Sequence, residues 1–391
     1  MDVNIDRIMN HLDEIGRISS GTKGYTRLAY SEEEDAALQW LKTKMGENGI
    51  PTKQDRVGNV FGRIGQADAP ALLMGSHLDS VFEGGLYDGA LGVVLGLECL
   101  LRIKEMGINL NNPIELVAFR GEEANVLGGT FGSRAFAGLI EESEAIKEKL
   151  EGLSFDWQDV ESVRNRKKYL SYMELHIEQG SVLEANEKQI GVVTSIAGII
   201  RFHVTVKGKS SHSGTTPMDM RRDALLYASK IIQEVNQIVC RFGGDNVATV
   251  GELDVHPNQA NVVPGLVNLT VEIRGSKLNE MKMIEEEIKA YIRKHFEAET
   301  RQLIEKAPSE LSRDVQNKII EACKNNFVSF MSIPSGANHD ANSLVNNMEV
   351  GMVFVPSKDG LSHHPEEFTS VEDIKVGSEI MLEVIANLCT D

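Results

Sequence analysis

Cysteine is scarce in this chain, and Cys99, Cys240, Cys323 and Cys389 lie far apart with no CxxC pair among them. That spacing excludes a disulfide framework and a thiolate zinc site, and it fits free thiols in a reducing compartment. Basic residues are short as well, 40 Lys and Arg against 58 Asp and Glu, for a formal net charge of -18. Nucleic acid and anionic membranes both need a basic face, so neither is expected as a partner. No apolar run approaches the roughly 20 residues that cross a bilayer. The opening MDVNIDRIMNHLDEIG is acidic and lacks the basic start and apolar core of a signal peptide, so the expected location is cytoplasmic.

What is present is an ordinary globular composition, 41% hydrophobic and 25% charged over 391 residues, long enough for two domains. Residues 6–16 carry Ile8, Met9, Leu12 and Ile15 at helical spacing. Ser31 with Glu34 has the form of a capping box opening a second helix, whose expected buried stripe is Ala36, Leu38, Leu41 and Met45. The loop between them holds Arg27 and Tyr30, which read either as site-facing groups or, as is more usual, as surface polar groups. Strand-like runs at 57–64, 71–78 and 113–119 alternate with a helix at 89–106, the pattern of a mostly parallel sheet with flanking helices. A charge-rich connector spans 141–168, and a further strand-like run ends in Glu174-Leu-His-Ile-Glu-Gln-Gly180.

After Gly198 the pattern changes to one-sided alternation, Ile200, Phe202, Val204 and Val206 facing one way. Thr216 and Pro217 have the form of a helix cap and first position, with Leu225, Ala228, Ile231, Ile232, Val235 and Ile238 as the apolar stripe. Val267, Leu269, Val271 and Ile273 form another one-sided strand, and the helix after it is expected to bury Met281, Ile284, Ile288, Tyr291 and Phe296. Residues 198–309 therefore read as an α+β insert, and 1–197 with 310–391 as an α/β domain. The α/β pattern resumes with a helix at 315–327, an apolar strand at 350–355 and a closing helix at 371–388.

The α/β part is organised around GSHLDSVFEGGLYDGALG, residues 75–92, where a buried strand runs into a glycine-rich loop. Ends of central strands are where such sheets build sites. Alone, this loop reads equally as surface polarity or as part of a metal site. Collected along the chain, however, His77, Asp88, Glu123, His176 and His363 each fall at or beyond the C-terminal end of a core strand. Three imidazoles and two carboxylates without a thiolate suit zinc, cobalt, nickel or manganese better than calcium or a structural zinc.

These motifs resemble the M20 metallopeptidase superfamily, and within it the hydantoinase/carbamoylase amidases: N-carbamoyl-L-amino acid hydrolases, allantoate amidohydrolases and β-ureidopropionases. The resemblance rests on GSHLDSVFEGGLYDGALGV, the Glu122-Glu123 pair, ELHIEQG, GKSSHSGTTPMDMRRDA, NVVPG, SGANHDA and GLSHHPEE, which span nearly the whole chain. It implies a zinc-exopeptidase-like catalytic domain and an inserted lid and dimerisation domain, hence a homodimer. It also implies two divalent ions (Zn, Mn, Co or Ni) sharing Asp88, one held by His77 and His176, the other by Glu123 and His363. Asp79 would orient His77, Glu122 would act as general base and acid, and His212 would stabilise the oxyanion from the partner subunit. Gln179, Asn261, Arg274 and His339 match substrate-binding positions, Arg274 being the natural partner of a substrate carboxylate.

The implied activity is hydrolysis of an N-carbamoyl or ureido compound carrying a carboxylate. Alternatives are a dipeptidase or aminoacylase of the same fold, and a non-catalytic metal-binding homologue. Two departures from the subfamily pattern bear on substrate identity: Ala124-Asn125-Val126-Leu127 after the paired glutamates, and Asn338 in place of a small residue. The motif register assigns the metal to His363 and leaves His364 variable, with Glu367 completing the pattern.

Overall fold

The computed structural model describes residues 1–165 and 169–390, so the last three residues of the expected 141–168 connector lie outside the described residues. Contacts divide the chain into two compact units, Met1–Thr194 with Glu310–Asp391, and Ser195–Ser309.

The first unit opens with α1 (Ile5–Gly16) and α2 (Glu32–Glu47). The sheet begins with β1 (Thr52–Gln54), β2 (Val60–Ile64) and β3 (Ala71–His77), every residue of β3 being buried. Next come α3 (Ala90–Glu105) and β4 (Ile114–Phe119), also wholly buried. The short helices α4 (Phe131–Ala137), α5 (Glu144–Glu151) and α6 (Trp157–Val163) follow. Two of them occupy the stretch that reads as an aperiodic connector, because each is too short to display an apolar period. β5 (Tyr169–Ile177), α7 (Val182–Ala185) and β6 (Ile190–Ile196) complete this part.

In the second unit the strands are β7 (Gly198–Lys207), β8 (Ser211–His212), β9 (Val247–His256), β10 (Val262–Val263), β11 (Leu266–Gly275) and β12 (Ala298–Lys306). Four of them pair antiparallel in the order β12-β7-β11-β9, and β10 with β8 forms a separate ribbon. The buried faces of β7 and β11 pack against α8 (Ala224–Phe242) and α9 (Leu278–His295) around Phe202, Ile231, Val271 and Ile288. β9 and β12 were not foreseen, since both are largely exposed and carry no apolar alternation.

On return to the first unit the chain forms β13 (Ser309–Glu310), α10 (Arg313–Asn325), β14 (Phe330–Ser335), α11 (Asp340–Leu344), β15 (Glu349–Val355) and α12 (Val371–Thr390). The sheet order is β1-β2-β4-β3-β5-β15-β6-β13, with β14 beside β6. Its central run, β4-β3-β5-β15, is parallel throughout. The sheet is thus mostly parallel at its heart, as the alternating strands and helices require. Parallel pairing brings the C-terminal ends of four strands to one edge, and β3 has partners on both sides arriving from different parts of the chain. A crevice outside the strand ends is the usual result of such a reversal.

Several local expectations are corrected. Ala37 replaces Ala36 on the buried stripe of α2, Ala224 replaces Leu225 on α8, and Ile292 replaces Tyr291 on α9. Each is a slip of one position in helical phase. The Ser31–Glu34 capping box is half formed: Ser31 accepts from Glu34 N at 3.2 Å, but the Glu34 carboxylate turns elsewhere. Arg27 is not a surface group, being only 2% exposed, with its guanidinium donating to the carbonyls of Leu78, Ile15 and Ile18. Thr216 does not cap α8. Pro217 instead precedes a turn of 3-10 helix at Met218–Met220, and Asp223 caps α8 by accepting from Leu225 N and Leu226 N.

Replacing Asp223 with Ala should therefore cost about 1 kcal/mol of stability, whereas Thr216→Ala should stay within about 0.5 kcal/mol. Denaturant unfolding measures both, and equal losses would contradict this assignment of the cap.

Candidate functional site

The C-terminal edge of the parallel strands gathers the imidazoles and carboxylates singled out from sequence. His77 is the last residue of β3 and His176 the last but one of β5. Asp88 lies near the end of the loop after β3, one residue before the Gly89 that caps α3, and Glu123 lies four residues beyond β4. His363 follows β15 in a left-handed conformation, φ 56°, which is strained for a non-glycine residue.

Asp88 is at the centre. One carboxylate oxygen, Oδ1, lies 3.4 Å from His77 Nε2 and 3.1 Å from His176 Nε2. The other, Oδ2, lies 3.3 Å from His363 Nε2, and the same nitrogen is 3.3 Å from Glu123 Oε1. Two groups able to hold a divalent ion result, His77-Asp88-His176 and Asp88-Glu123-His363. A third, Glu174-His176-His339, shares His176 with the first. Both His363 and His364 are exposed, but His363 is the imidazole brought within 3.3 Å of Asp88, while His364 accepts from Glu366 N.

Backbone contacts fix the rings. His77 Nδ1 is 3.0 Å from Asp79 O, and His176 Nδ1 is 2.9 Å from Ile177 O. A carbonyl can only accept, so each Nδ1 carries a proton and each Nε2 is the atom left able to hold a metal ion. The Asp79 carboxylate is farther from His77, at 3.5 Å, and instead accepts from Glu122 N at 3.1 Å and Glu123 N at 2.9 Å. Glu367 accepts from Tyr87 N and Asp88 N through Oε1 and from Ser362 through Oε2, tying the Asp88 loop to the His363 loop. Only Gly can occupy position 89: its φ is 64°, and a Cβ there would come within 2.3 Å of the His77 ring.

Electrostatics follow from burial and neighbours. Burial opposes the charge on His77, but Glu122 and the contacts to Asp79 and Asp88 outweigh it and hold the ring well above the ordinary histidine range. Asp88 goes the other way, held well below the carboxylate range by its imidazoles in spite of burial. Burial, with Asp340, Glu123 and Asp79 adding to it, pushes Glu122 well above the carboxylate range against the pull of His77. His363 is raised to about 10 by its bonds to Asp88 and Glu123. Asp340 is pushed up to about 8 by burial and by Glu174.

The expected substrate residues divide between the two units. Gln179, at φ 57°, donates to Asp88 Oδ2 at 2.7 Å and to Ser362. His339 is buried, bonds Ser335 Oγ at 2.8 Å and stands edge-on to His176 with ring centres 4.6 Å apart; burial holds it neutral. His212, Asn261 and Arg274 belong to the second unit. His212 pairs with Val262, so Asn261 lies beside it on the ribbon, and Ser213 N donates to Asn261 O. Arg274 pairs with Glu272 through Nε at 2.7 Å.

The two departures stiffen loops. Asn125 donates to the carbonyls of Gly121 and Glu123 and accepts from Leu127 N, closing the turn after the paired glutamates. Asn338 accepts from Asn342 at 2.6 Å. Sequence reasoning passed over Arg27, Glu34, Glu174, Asp340 and Ser362. The motif glutamate Glu367 carried a signal, but the others have partners dozens of residues away.

Clustered Nε2 atoms, a shared carboxylate and a buried glutamate make up the donor set and proton carrier of a metal-dependent hydrolase. A family model supports that class. It matches residues 73–387, and the chain belongs to peptidase family M20/M25/M40. Over 402 residues the chain is 35% identical to the N-carbamoyl-L-amino-acid amidohydrolase of Paenarthrobacter aurescens, covering 98% of each protein. It is 33% identical over 387 residues to the allantoate amidohydrolase of Bacillus subtilis (strain 168), covering 95% of this chain and 94% of that protein. The crystal structure of an amidase of the hydantoinase/carbamoylase family from Burkholderia multivorans is similar with a TM-score of 0.92 at 32% identity, covering 100% of this chain and 99% of the other. The chain is accordingly a hydrolase. Among the described residues no helix is long and apolar enough to cross a membrane.

Gly89→Ala should lower stability by at least about 1 kcal/mol through its positive φ and displace the His77 ring. Equilibrium dialysis against manganese checks the second effect, and unchanged uptake would contradict it.

Proposed function

We propose that this protein is a dinuclear-metal amidohydrolase cleaving the C-N bond of N-carbamoyl or ureido compounds that carry a carboxylate, with N-carbamoyl-L-amino acids and allantoate as the substrate class. The observation that carries the metal reading is Asp88, whose two oxygens are divided between His77 with His176 and His363 with Glu123. The donor set fits divalent zinc, manganese, cobalt or nickel, because the Nδ1 locks leave Nε2 lone pairs converging on a carboxylate. One ion would be held by His77, His176 and Asp88, the other by Asp88, Glu123 and His363. Such ions supply Lewis-acid polarisation of a carbonyl and draw the ionisation of water towards neutrality.

The chain's own groups do the rest. Glu122 takes a proton from the attacking water as the oxygen-carbon bond forms, and passes it to the nitrogen as the carbon-nitrogen bond breaks. A carboxylate within reach of both the attacking water and the departing nitrogen serves both transfers. His212 donates to the carbonyl oxygen as that atom gains charge. Arg274 exchanges its Glu272 contact for the substrate carboxylate, and Gln179, Asn261 and His339 complete substrate binding. The second unit acts as lid and dimerisation domain, its β9 edge being open to pairing, and His212 serves the partner's site. The four cysteines are free, which fits a reducing cytoplasm.

Ammonia release from N-carbamoyl amino acids, allantoate and 3-ureidopropionate, with manganese or zinc added, tests this reading. Turnover should appear on at least one and fall roughly a hundredfold or more in Glu122→Gln. Turnover confined to dipeptides or N-acyl amino acids would replace the carbamoyl reading with the peptidase one. Mixing inactive Glu122→Gln and His212→Ala subunits should restore activity; no recovery would place His212 in its own subunit's site.

Metal uptake should also release protons. His363, raised to about 10, is protonated at pH 7 without metal and must be neutral to ligate. Affinity should therefore rise as pH rises towards 10, and calorimetry in buffers of different ionisation enthalpy should read at least one proton released at pH 7. No release would remove His363 from the ligand set.

A further inference from the structure

The turn that carries Glu122 has nearly every main-chain group assigned. Arg120 N donates to Asn59 Oδ1 at 2.9 Å, and Glu122 N and Glu123 N donate to Asp79. The carbonyls of Arg120, Gly121 and Glu122 accept from Gly132 N, Phe131 N and Thr130 N. The remaining amide, Gly121 N, donates to Glu34 Oε1 at 3.0 Å. Glu34 is only 1% exposed, and its other oxygen accepts from Tyr30 N at 2.5 Å and Arg120 Nε at 3.1 Å.

Three features set this contact apart from ordinary helix capping. Glu34 is the third residue of α2, where a glutamate normally reaches back to the cap residue's amide; here it bridges to a strand end 87 residues away. Both ends of the bridge are left-handed, Tyr30 at φ 64° and Gly121 at φ 67°, and a Cβ at Gly121 would lie 2.7 Å from the Tyr30 hydroxyl. The carboxylate is also costly: burial and nearby Asp79 raise it to about 7, against the pull of Arg120. A buried carboxylate spent on one turn at a strand end, with the strained residue Tyr30 on one side and a turn only glycine adopts freely on the other, marks a position fixed for function.

We infer that Glu34 is a positioning residue for the general base: by holding Gly121 N it fixes the left-handed turn that ends β4 and sets Glu122 beside the imidazole-carboxylate cluster. This rests on the reading of Glu122 as the proton carrier. A glutamine at 34 keeps one acceptor oxygen and cannot serve both Gly121 N and Tyr30 N. A displacement on the order of 1 Å at a reacting group costs up to a hundredfold in rate.

The test compares Glu34→Gln, Glu122→Gln, their double variant and Asp35→Asn, which removes the charge only from the outer contact to Arg120. In Glu34→Gln, kcat should fall roughly ten- to a hundredfold with KM and metal content within about twofold of wild type. The double variant should be no slower than Glu122→Gln, since the two act through one group, and Asp35→Asn should stay close to wild type. Hydrogen exchange at the amides of residues 121–123 should be faster in Glu34→Gln. Unchanged kcat, a multiplicative loss in the double variant, loss of metal in step with rate, or an Asp35→Asn defect as large as that of Glu34→Gln overturns the inference. If wild type shows no Glu122-dependent turnover, the functional reading fails instead, and unchanged amide exchange then decides against Glu34.

Discussion

Negative charge crowded into the edge of a buried sheet is the constraint to which the rest of this molecule answers. Asp79, Asp88, Glu123, Glu174 and Asp340 are all buried, and Glu122 nearly so. Unit charges a few ångströms apart away from water repel by about 4 kcal/mol even at an effective dielectric of 20. The fold offsets this in three ways. Main-chain amides solvate Asp79, and Ala341 N with the Ser76 and Tyr172 hydroxyls solvates Glu174. A proton neutralises Asp340, pushed up to about 8, and burial with the neighbouring carboxylates raises the proton affinity of Glu122. Imidazoles held in their charged form compensate Asp88. Only the imidazolium protons stand where cations could replace them, which is why the cluster around Asp88 is the part of this acidic edge suited to divalent ions.

Much of this was legible in the sequence, for identifiable reasons. β3, β4 and β15 are largely apolar runs, the signature of strands covered on both faces, and β5 is a strand-like run between polar positions. Their parallel pairing then brought His77, His176 and the loops with Asp88, Glu123 and His363 to one edge. What escaped was set by partners remote in the chain. Glu34 satisfies the local pattern of a capping box, and nothing within ten residues indicates that Gly121 N takes its carboxylate. Arg27 looks like a loop cation until the carbonyl of Leu78 is known to lie against it. Glu174 is two positions before His176 on an alternating strand, so its inward direction was readable, but its hydrogen bonds to Ser76 and Ala341 N were not.

Asp79 shows how a residue's role is set by the atom that does the work. A carboxylate two residues after a ligand histidine suggests that it orients the ring, yet the nearer contact to His77 Nδ1 is the Asp79 carbonyl, at 3.0 Å against 3.5 Å for the carboxylate. His176 repeats the arrangement with the carbonyl of Ile177. Ring direction in both cases follows from the path of the main chain leaving a buried strand, which packing on both faces holds rigid. The Asp79 side chain is thereby left to bind Glu122 N and Glu123 N. One residue then links three elements of the site: its backbone sets the tautomer of an imidazole on β3, and its side chain sets the place of Glu122 and Glu123 after β4. Because β3 and β4 are adjacent parallel strands, that link spans a single strand spacing, and the distance between Glu122 and the imidazoles follows from sheet geometry together with the turn that ends β4.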